Sequence, residues 1–287
     1  MEIKQAKSAG FCFGVKRAVD TVYEAAKEQD VPVYTYGPII HNAEVVQDLS
    51  EKGVAIVAEK EDLLRCKGGL VIIRSHGVGR EIYDFLKQHD ISYLDATCPF
   101  VLKIHRLVEK YTAEGYRILI FGDKSHPEVA GICTWGEVRR TDVLESMEEA
   151  ENFPISKGNE PEKLCVVAQT TFHNKKFQEL VAIISEKGYD IIVINTICNA
   201  TQERQSEAKE IASAVEAMIV IGDTKSSNTR KLYEISKKEC KYTYYIQKAK
   251  DLDLTKLKSA KSVGITAGAS TPNNIIEEVQ NNVRNEF

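Results

Sequence analysis

Three cysteines stand in similar surroundings: Cys12 within Gly10-Phe-Cys-Phe-Gly14, Cys98 within Asp95-Ala-Thr-Cys-Pro99, and Cys198 ahead of Asn199-Ala-Thr201. Each is followed, at a nearly constant distance, by a polar residue just past an apolar run. His41 lies 29 residues after Cys12, His126 lies 28 after Cys98, and Ser226 lies 28 after Cys198. A second polar residue follows the same cysteines at 64, 72 and 72 residues: His76, Thr170 and Ser270. Each cysteine falls at or just before an expected helix start, where unpaired N–H groups favour a negative charge and so the thiolate. Soft thiolates select iron–sulfur clusters, zinc or copper(I). Three of them converging on a pseudo-threefold axis suit a cubane cluster, with the fourth iron open to substrate as a catalytic zinc keeps one open position.

The polar residues have their own chemistry. His41, His76 and His126, with Ser226, Asn228 and Ser270, are hydrogen-bond donors that together form an anion trap. Glu128 and Thr170 share these loops. A histidine after a strand is usually structural, and a Ser-Ser-Asn stretch is usually a turn. Recurrence at matched offsets beside a matched cysteine favours one shared site. His89, His105 and His173 lack such a context and read as structural or exposed, on helix surface or loop.

The elements that must hold these residues are legible as an alternation. Strands are expected over Val31–Tyr36, Val54–Val57, Leu70–Ile73, Arg117–Phe121, Leu164–Ala168, Ile191–Ile194, Ala217–Ile221 and Ser262–Thr266, with Ser92–Leu94 returning to the sheet. Helices are expected from Gly14 onward, over Asn42–Lys52 and Arg80–His89, after Pro99, over Phe177–Lys187, and from about Ala200 to Val215. Glu145–Glu151 reads as loop or helix, and Lys157–Pro161 as a surface connection. Such alternation implies parallel or mixed sheets under helical cover, with ligands at the carboxyl ends of the strands. The repeat divides the chain into three α/β units, 1–96, 97–195 and 196–287. Its period is too long for a solenoid and suits small domains around a shared centre.

Composition narrows the class. With 43% hydrophobic and 28% charged residues, the 287-residue chain is ordinary for a soluble globular protein. A formal net charge of −4 argues against a general nucleic-acid or anionic-membrane binder. No apolar run approaches the ~18 residues of a membrane span, and Met1–Gly10 has no apolar signal core, so a cytoplasmic protein is expected. Seven cysteines without a Cys-x-x-Cys pair indicate neither a disulfide framework nor a zinc ribbon. Cys66, Cys133, Cys165 and Cys240 read as buried apolar residues.

The chain resembles a known family, the reductases of 4-hydroxy-3-methylbut-2-enyl diphosphate. The resemblance is carried by Gly10–Val15, Gly37-Pro-Ile-Ile-His-Asn42, Arg74-Ser-His-Gly-Val78, Asp95–Pro99, Gly122–Val129 and Gln169-Thr-Thr171. It continues in Cys198-Asn-Ala-Thr201 with Arg204-Gln205, Ser226-Ser-Asn228 and Gly268-Ala-Ser-Thr-Pro272. It spans essentially the whole chain, and no functional position departs from the pattern. It implies a trefoil of three α/β domains around one 4Fe–4S cluster held by Cys12, Cys98 and Cys198. It also implies a diphosphate held by His41, His76, His126, Ser226, Ser227, Asn228 and Ser270, with the substrate hydroxyl on the open iron. Glu128, Thr170 and His126 become the catalytic set, Glu128 giving the proton as water leaves. The implied partners are a small allylic diphosphate and a ferredoxin- or flavodoxin-type electron donor, the chain being a monomer or weak homodimer. Two other classes stay open. A non-redox iron–sulfur hydratase or dehydratase would turn over without an electron donor. A non-enzymatic iron–sulfur sensor would have no use for three anion-binding loops.

Overall fold

The computed structural model describes residues 2–157 and 160–286. Gly158 and Asn159, in the expected 157–161 connection, lie outside the described residues. In chain order the first elements are β1 (Glu2–Gln5), α1 (Phe13–Glu28), β2 (Val33–Tyr36), α2 (Ala43–Glu51), β3 (Ala55–Val57), β4 (Leu70–Ile73), α3 (Arg80–Gln88) and β5 (Ser92–Asp95). They are followed by α4 (Pro99–Ala113), β6 (Arg117–Phe121), α5 (Pro127–Cys133), β7 (Thr141–Leu144), α6 (Met147–Glu151), β8 (Lys163–Ala168), α7 (Asn174–Ser185) and β9 (Asp190–Val193). The last are α8 (Asn199–Ser213), β10 (Ala217–Ile221), α9 (Ser227–Glu239), β11 (Tyr242–Ile246), β12 (Ser262–Ala267) and α10 (Asn273–Glu286).

The strands form three four-stranded sheets, ordered β3-β2-β4-β5, β7-β6-β8-β9 and β1-β12-β10-β11, and every pairing is parallel. The three α/β domains expected from the repeat are therefore present. The inner strands β4, β6, β8 and β10 are largely apolar runs because helices cover both faces. In the middle sheet, Ile118 and Ile120 pack with Ile104 and Val108 of α4 and Ile132 of α5. On its other face Leu119 and Phe121 pack with Phe177, Leu180 and Ile184 of α7. The third sheet does the same, with Ile219 and Ile265 against α10 and Met218 and Val220 against α8 and α9.

By contacts the chain forms two compact units, one of Met1–Val19, Ile40–Glu51 and Asn199–Phe287, the other of Asp20–Ile39 and Lys52–Cys198. The first holds the third sheet and the second holds the other two. One strand falls outside its expected unit. β1 pairs with β12, Ile3 opposite Val263, and so completes the third sheet although residues 1–96 read as the first unit. It fills the slot that β5 and β9 fill in the other sheets. Four residues with a half-exposed pattern give no periodicity by which to find it. The edge strands β7 and β11 escape sequence reading for the same reason. Glu145–Glu151 resolves into a short helix capped by Ser146 and Glu149 in a reciprocal capping box. Among the described residues no helix is long and apolar enough to cross a membrane.

Candidate active site

The cysteines sit where the spacing places them. Cys12 immediately precedes α1, Cys98 is the N-cap of α4 with Pro99 in its first turn, and Cys198 immediately precedes α8. Their backbone N–H groups donate to equivalent carbonyls. Cys98 bonds Ser75 at 2.9 Å, Cys198 bonds Thr170 at 3.0 Å and Cys12 bonds Ala269 at 3.3 Å. Each acceptor lies two residues beyond β4, β8 or β12, the strand that pairs with the one leading to that cysteine (β5, β9 or β1). Each cysteine is thus anchored to the sheet whose fourth strand precedes it, not to the sheet that follows it in sequence. The bond also corrects the offsets by one residue, because Thr170 corresponds in backbone to Ser75 and Ala269, not to Ser270.

The loops after β2, β6 and β10 follow a common plan as well. In Gly122-Asp-Lys-Ser-His126 and Gly222-Asp-Thr-Lys-Ser226 the aspartate carbonyl accepts the N–H of His126 or Ser226, each at 3.0 Å. The aspartate carboxylate accepts the Ser125 N–H at 2.9 Å or the Lys225 N–H at 2.8 Å. His126 and Ser226 then become N-caps, of α5 and α9. In the first sheet the cap is Asn42, whose Oδ1 accepts the Val45 N–H at 3.1 Å, so His41 stands one residue ahead of it.

In the unit of residues 20–39 and 52–198, His126 Nδ1 accepts the Glu128 N–H at 3.1 Å. In the neutral ring this leaves the proton on Nε2, as a donor. The His76 and His126 rings meet edge to face at 5.3 Å. Glu128, in the first turn of α5, is 1% exposed. Its Oε1 accepts the Thr170 N–H and its Oε2 the Thr170 hydroxyl, both at 2.7 Å. Burial pushes the Glu128 carboxyl from 4.5 up to about 7, against the two Thr170 hydrogen bonds that favour its ionised form. A carboxyl that titrates near neutrality and is held by a hydroxyl can keep and release a proton.

In the other unit, Ser226, Ser227, Asn228 and Ser270 are all buried. Among the described residues, Asn228 Nδ2 and Oδ1 and Ser270 Oγ meet no hydrogen-bond partner. A buried polar atom left so costs about 1–3 kcal/mol unless something else satisfies it. Two features escaped sequence reading. His105 is not on a surface: it is 1% exposed and stacks on Trp135 at 4.8 Å. Burial lowers its pKa from 6.5 to about 4. The second is the side of α8 that grips the segment before Cys12, through Arg204 and Glu207. Long-range hydrogen bonds leave no trace in local periodicity.

None of the seven cysteines forms a disulfide. Cys66, Cys165 and Cys240 are buried, and burial pushes the Cys165 thiol up to about 12, as suits inert apolar residues. Cys133 is partly buried rather than fully so. Cys12, Cys98 and Cys198 keep partial exposure at helix starts. An all-thiolate set of this kind fits an iron–sulfur cluster.

The family model described as LytB protein matches residues 3–284. A 4-hydroxy-3-methylbut-2-enyl diphosphate reductase of Caldanaerobacter subterraneus subsp. tengcongensis is 47% identical, over 97% of this chain and 95% of the relative. The same-named protein of Clostridioides difficile is 43% identical, over 97% of this chain and 98% of its own. Among solved structures, the E-1-hydroxy-2-methyl-but-2-enyl-4-diphosphate reductase of Plasmodium falciparum superposes with a TM-score of 0.89 at 30% identity, covering 98% of this chain and 87% of that one. A second, described as the terminal enzyme of the non-mevalonate pathway, gives 0.69 at 41% identity, covering 99% and 100%.

Proposed function

Since the chain belongs to the LytB family of iron–sulfur reductases of isoprenoid biosynthesis, we propose that it removes the hydroxyl of 4-hydroxy-3-methylbut-2-enyl diphosphate by the residues described above. The overall change takes two electrons and two protons. The allylic C–O bond breaks, a C–H bond forms and water leaves, giving isopentenyl and dimethylallyl diphosphates. Cys12, Cys98 and Cys198, one from each of the units 1–96, 97–195 and 196–287, would hold one 4Fe–4S cluster, which when bound supplies single electrons and one open iron as Lewis acid.

The protein's own residues supply the rest. The hydroxyl cannot leave as hydroxide, so it needs a proton. Glu128, which titrates near neutrality, can hold and give one there, and Thr170 Oγ, in hydrogen bond with its carboxyl, is the relay between that proton and the substrate. The doubly bonded Glu128–Thr170 pair is the observation that carries this reading. His41, His76 and His126 with Ser226, Ser227, Asn228 and Ser270 donate to the diphosphate, replacing its water shell and orienting the hydroxyl end. The unsatisfied amide of Asn228 and hydroxyl of Ser270 support that role. A cytoplasmic location and a one-electron donor protein of ferredoxin or flavodoxin type complete the proposal.

The test is anaerobic turnover of the allylic diphosphate with and without a one-electron reductant. Formation of both isoprenoid diphosphates only with the reductant supports the reading. Water addition or loss without any reductant would replace it by a hydratase or dehydratase.

A further inference from the structure

Helix α8 begins directly after Cys198, and one side of it carries Arg204 and, one turn on, Glu207. Arg204 is 5% exposed. Its Nη1 donates to the Ala200 carbonyl at 3.0 Å in the first turn of α8, and its Nη2 donates to the Gly10 carbonyl at 2.8 Å. Glu207 takes the other side of the same segment. Its Oε1 accepts the Lys7 N–H at 2.7 Å, and its Oε2 accepts the Ser8 N–H at 2.9 Å and the Ser8 hydroxyl. Two charged side chains thus hold residues 7–10 by main-chain donors and an acceptor, two residues short of Cys12. These are charge-assisted bonds, stronger than neutral ones; the Arg204–Gly10 bond is buried, whereas those of Glu207 lie partly or fully open to solvent. The backbone they hold is committed to that place. Gly10 has φ of 101°, and a Cβ there would stand 2.6 Å from Asn273 Oδ1.

We infer that Arg204 and Glu207 are positioning residues for Cys12. They clamp the turn ahead of it to the helix that follows Cys198, so that the placement of one proposed cluster ligand depends on the segment carrying another. The inference rests on the cluster assignment above for its purpose, but the clamp itself is a property of the protein without metal. A helix with so polar a first half, Asn199-Ala-Thr-Gln-Glu-Arg-Gln205, is explained in part by this role: Arg204 spends its hydrogen bonds on carbonyls and not on solvent.

The experiment compares wild type with Arg204→Lys, Arg204→Gln and Glu207→Gln. Cluster-free full-length protein is treated with iodoacetamide, and alkylation of Cys12 is followed by mass spectrometry against Cys98 in the same sample. Iron loss from the anaerobically loaded protein to a chelator is timed in parallel. Losing a charged clamp bond should raise Cys12 alkylation about tenfold relative to Cys98 and shorten iron retention by a similar factor. Arg204→Lys should fall between wild type and Arg204→Gln. Glu207→Gln, half-exposed and of the same shape, is the variant that keeps the test decisive if Arg204→Gln does not fold. An unchanged Cys12-to-Cys98 ratio in a folded variant overturns the clamp, as does an equal rise at both cysteines, which signals general loosening. Cys12→Ser with full iron content would instead overturn the cluster assignment while leaving the alkylation result standing.

Discussion

Thr170 holds both oxygens of the Glu128 carboxyl, its N–H on Oε1 and its hydroxyl on Oε2, each at 2.7 Å. The same Thr170 accepts the Cys198 N–H through its carbonyl at 3.0 Å. One residue thus connects the proposed acid to a proposed cluster ligand. This fixes the orientation of the proposed acid through hydrogen bonds to a single residue.

Glu128→Gln should therefore retain the cluster and substrate binding but lose turnover. Proton delivery by a positioned acid is worth about 10²–10⁴-fold. Single-turnover rate and iron content measured on the same sample decide the matter. A near-normal rate would reduce Glu128 to a residue of the first turn of α5.

Thr170→Val removes the hydroxyl and leaves the N–H bond. A hydrogen bond that favours the carboxylate is lost, so the Glu128 pKa rises further above about 7. The rate should fall, and the alkaline limb of its pH profile should move to higher pH. Thr170→Ser should restore both. A limb that stays in place in Thr170→Val would detach Glu128 from the observed ionisation.

Stability should respond to pH in opposite senses at Glu128 and His105. Glu128 is raised from 4.5 to about 7 on folding, so its contribution is fully present below pH 4.5 and is lost as pH rises through about 7. His105 is lowered from 6.5 to about 4, so its contribution is present above pH 6.5 and is lost as pH falls through about 4. Each shift corresponds to on the order of 3 kcal/mol. Relative to wild type, Glu128→Gln should gain thermal stability from pH 5 to 8, whereas His105→Leu should gain it from pH 7 to 4. Parallel melting curves across that range would contradict both burial arguments.

Asn228→Ala and Ser270→Ala should weaken binding of the diphosphate substrate and leave kcat nearly intact, each by about 10- to 100-fold, the range for a hydrogen bond to a charged group. The dephosphorylated alcohol should bind poorly to wild type and no worse to either variant. An equal loss for alcohol and diphosphate would move these residues out of the anion site.

Cys12→Ser, Cys98→Ser or Cys198→Ser should each impair cluster retention and abolish turnover, while Cys165→Ala should stay brown and active. Iron and sulfide analysis with EPR reads the outcome directly. A colourless wild-type protein carrying stoichiometric zinc and full activity would end the iron–sulfur assignment.

Much of this was present in the chain itself. The apolar runs of β4, β6, β8, β10 and β12 announce buried parallel strands, because a strand covered on both faces needs no polar alternation. The cysteines and the polar loop residues could be grouped because a pseudo-repeat keeps its spacing when its elements keep their lengths. What local order could not carry was set by partners far away in sequence. β1 joins β12, some 260 residues on, because an edge strand is stabilised by the ladder it meets and not by its own pattern. Each cysteine is bonded to the sheet before it, and Thr170 rather than Ser270 is the backbone counterpart of Ser75, since carbonyl positions and not residue types set that equivalence. The Glu128 pKa near 7, the buried His105 and the Arg204–Glu207 grip on residues 7–10 likewise exist only once the chain is packed. Desolvation and long-range hydrogen bonds are properties of a place, and the sequence names residues without saying what will surround them.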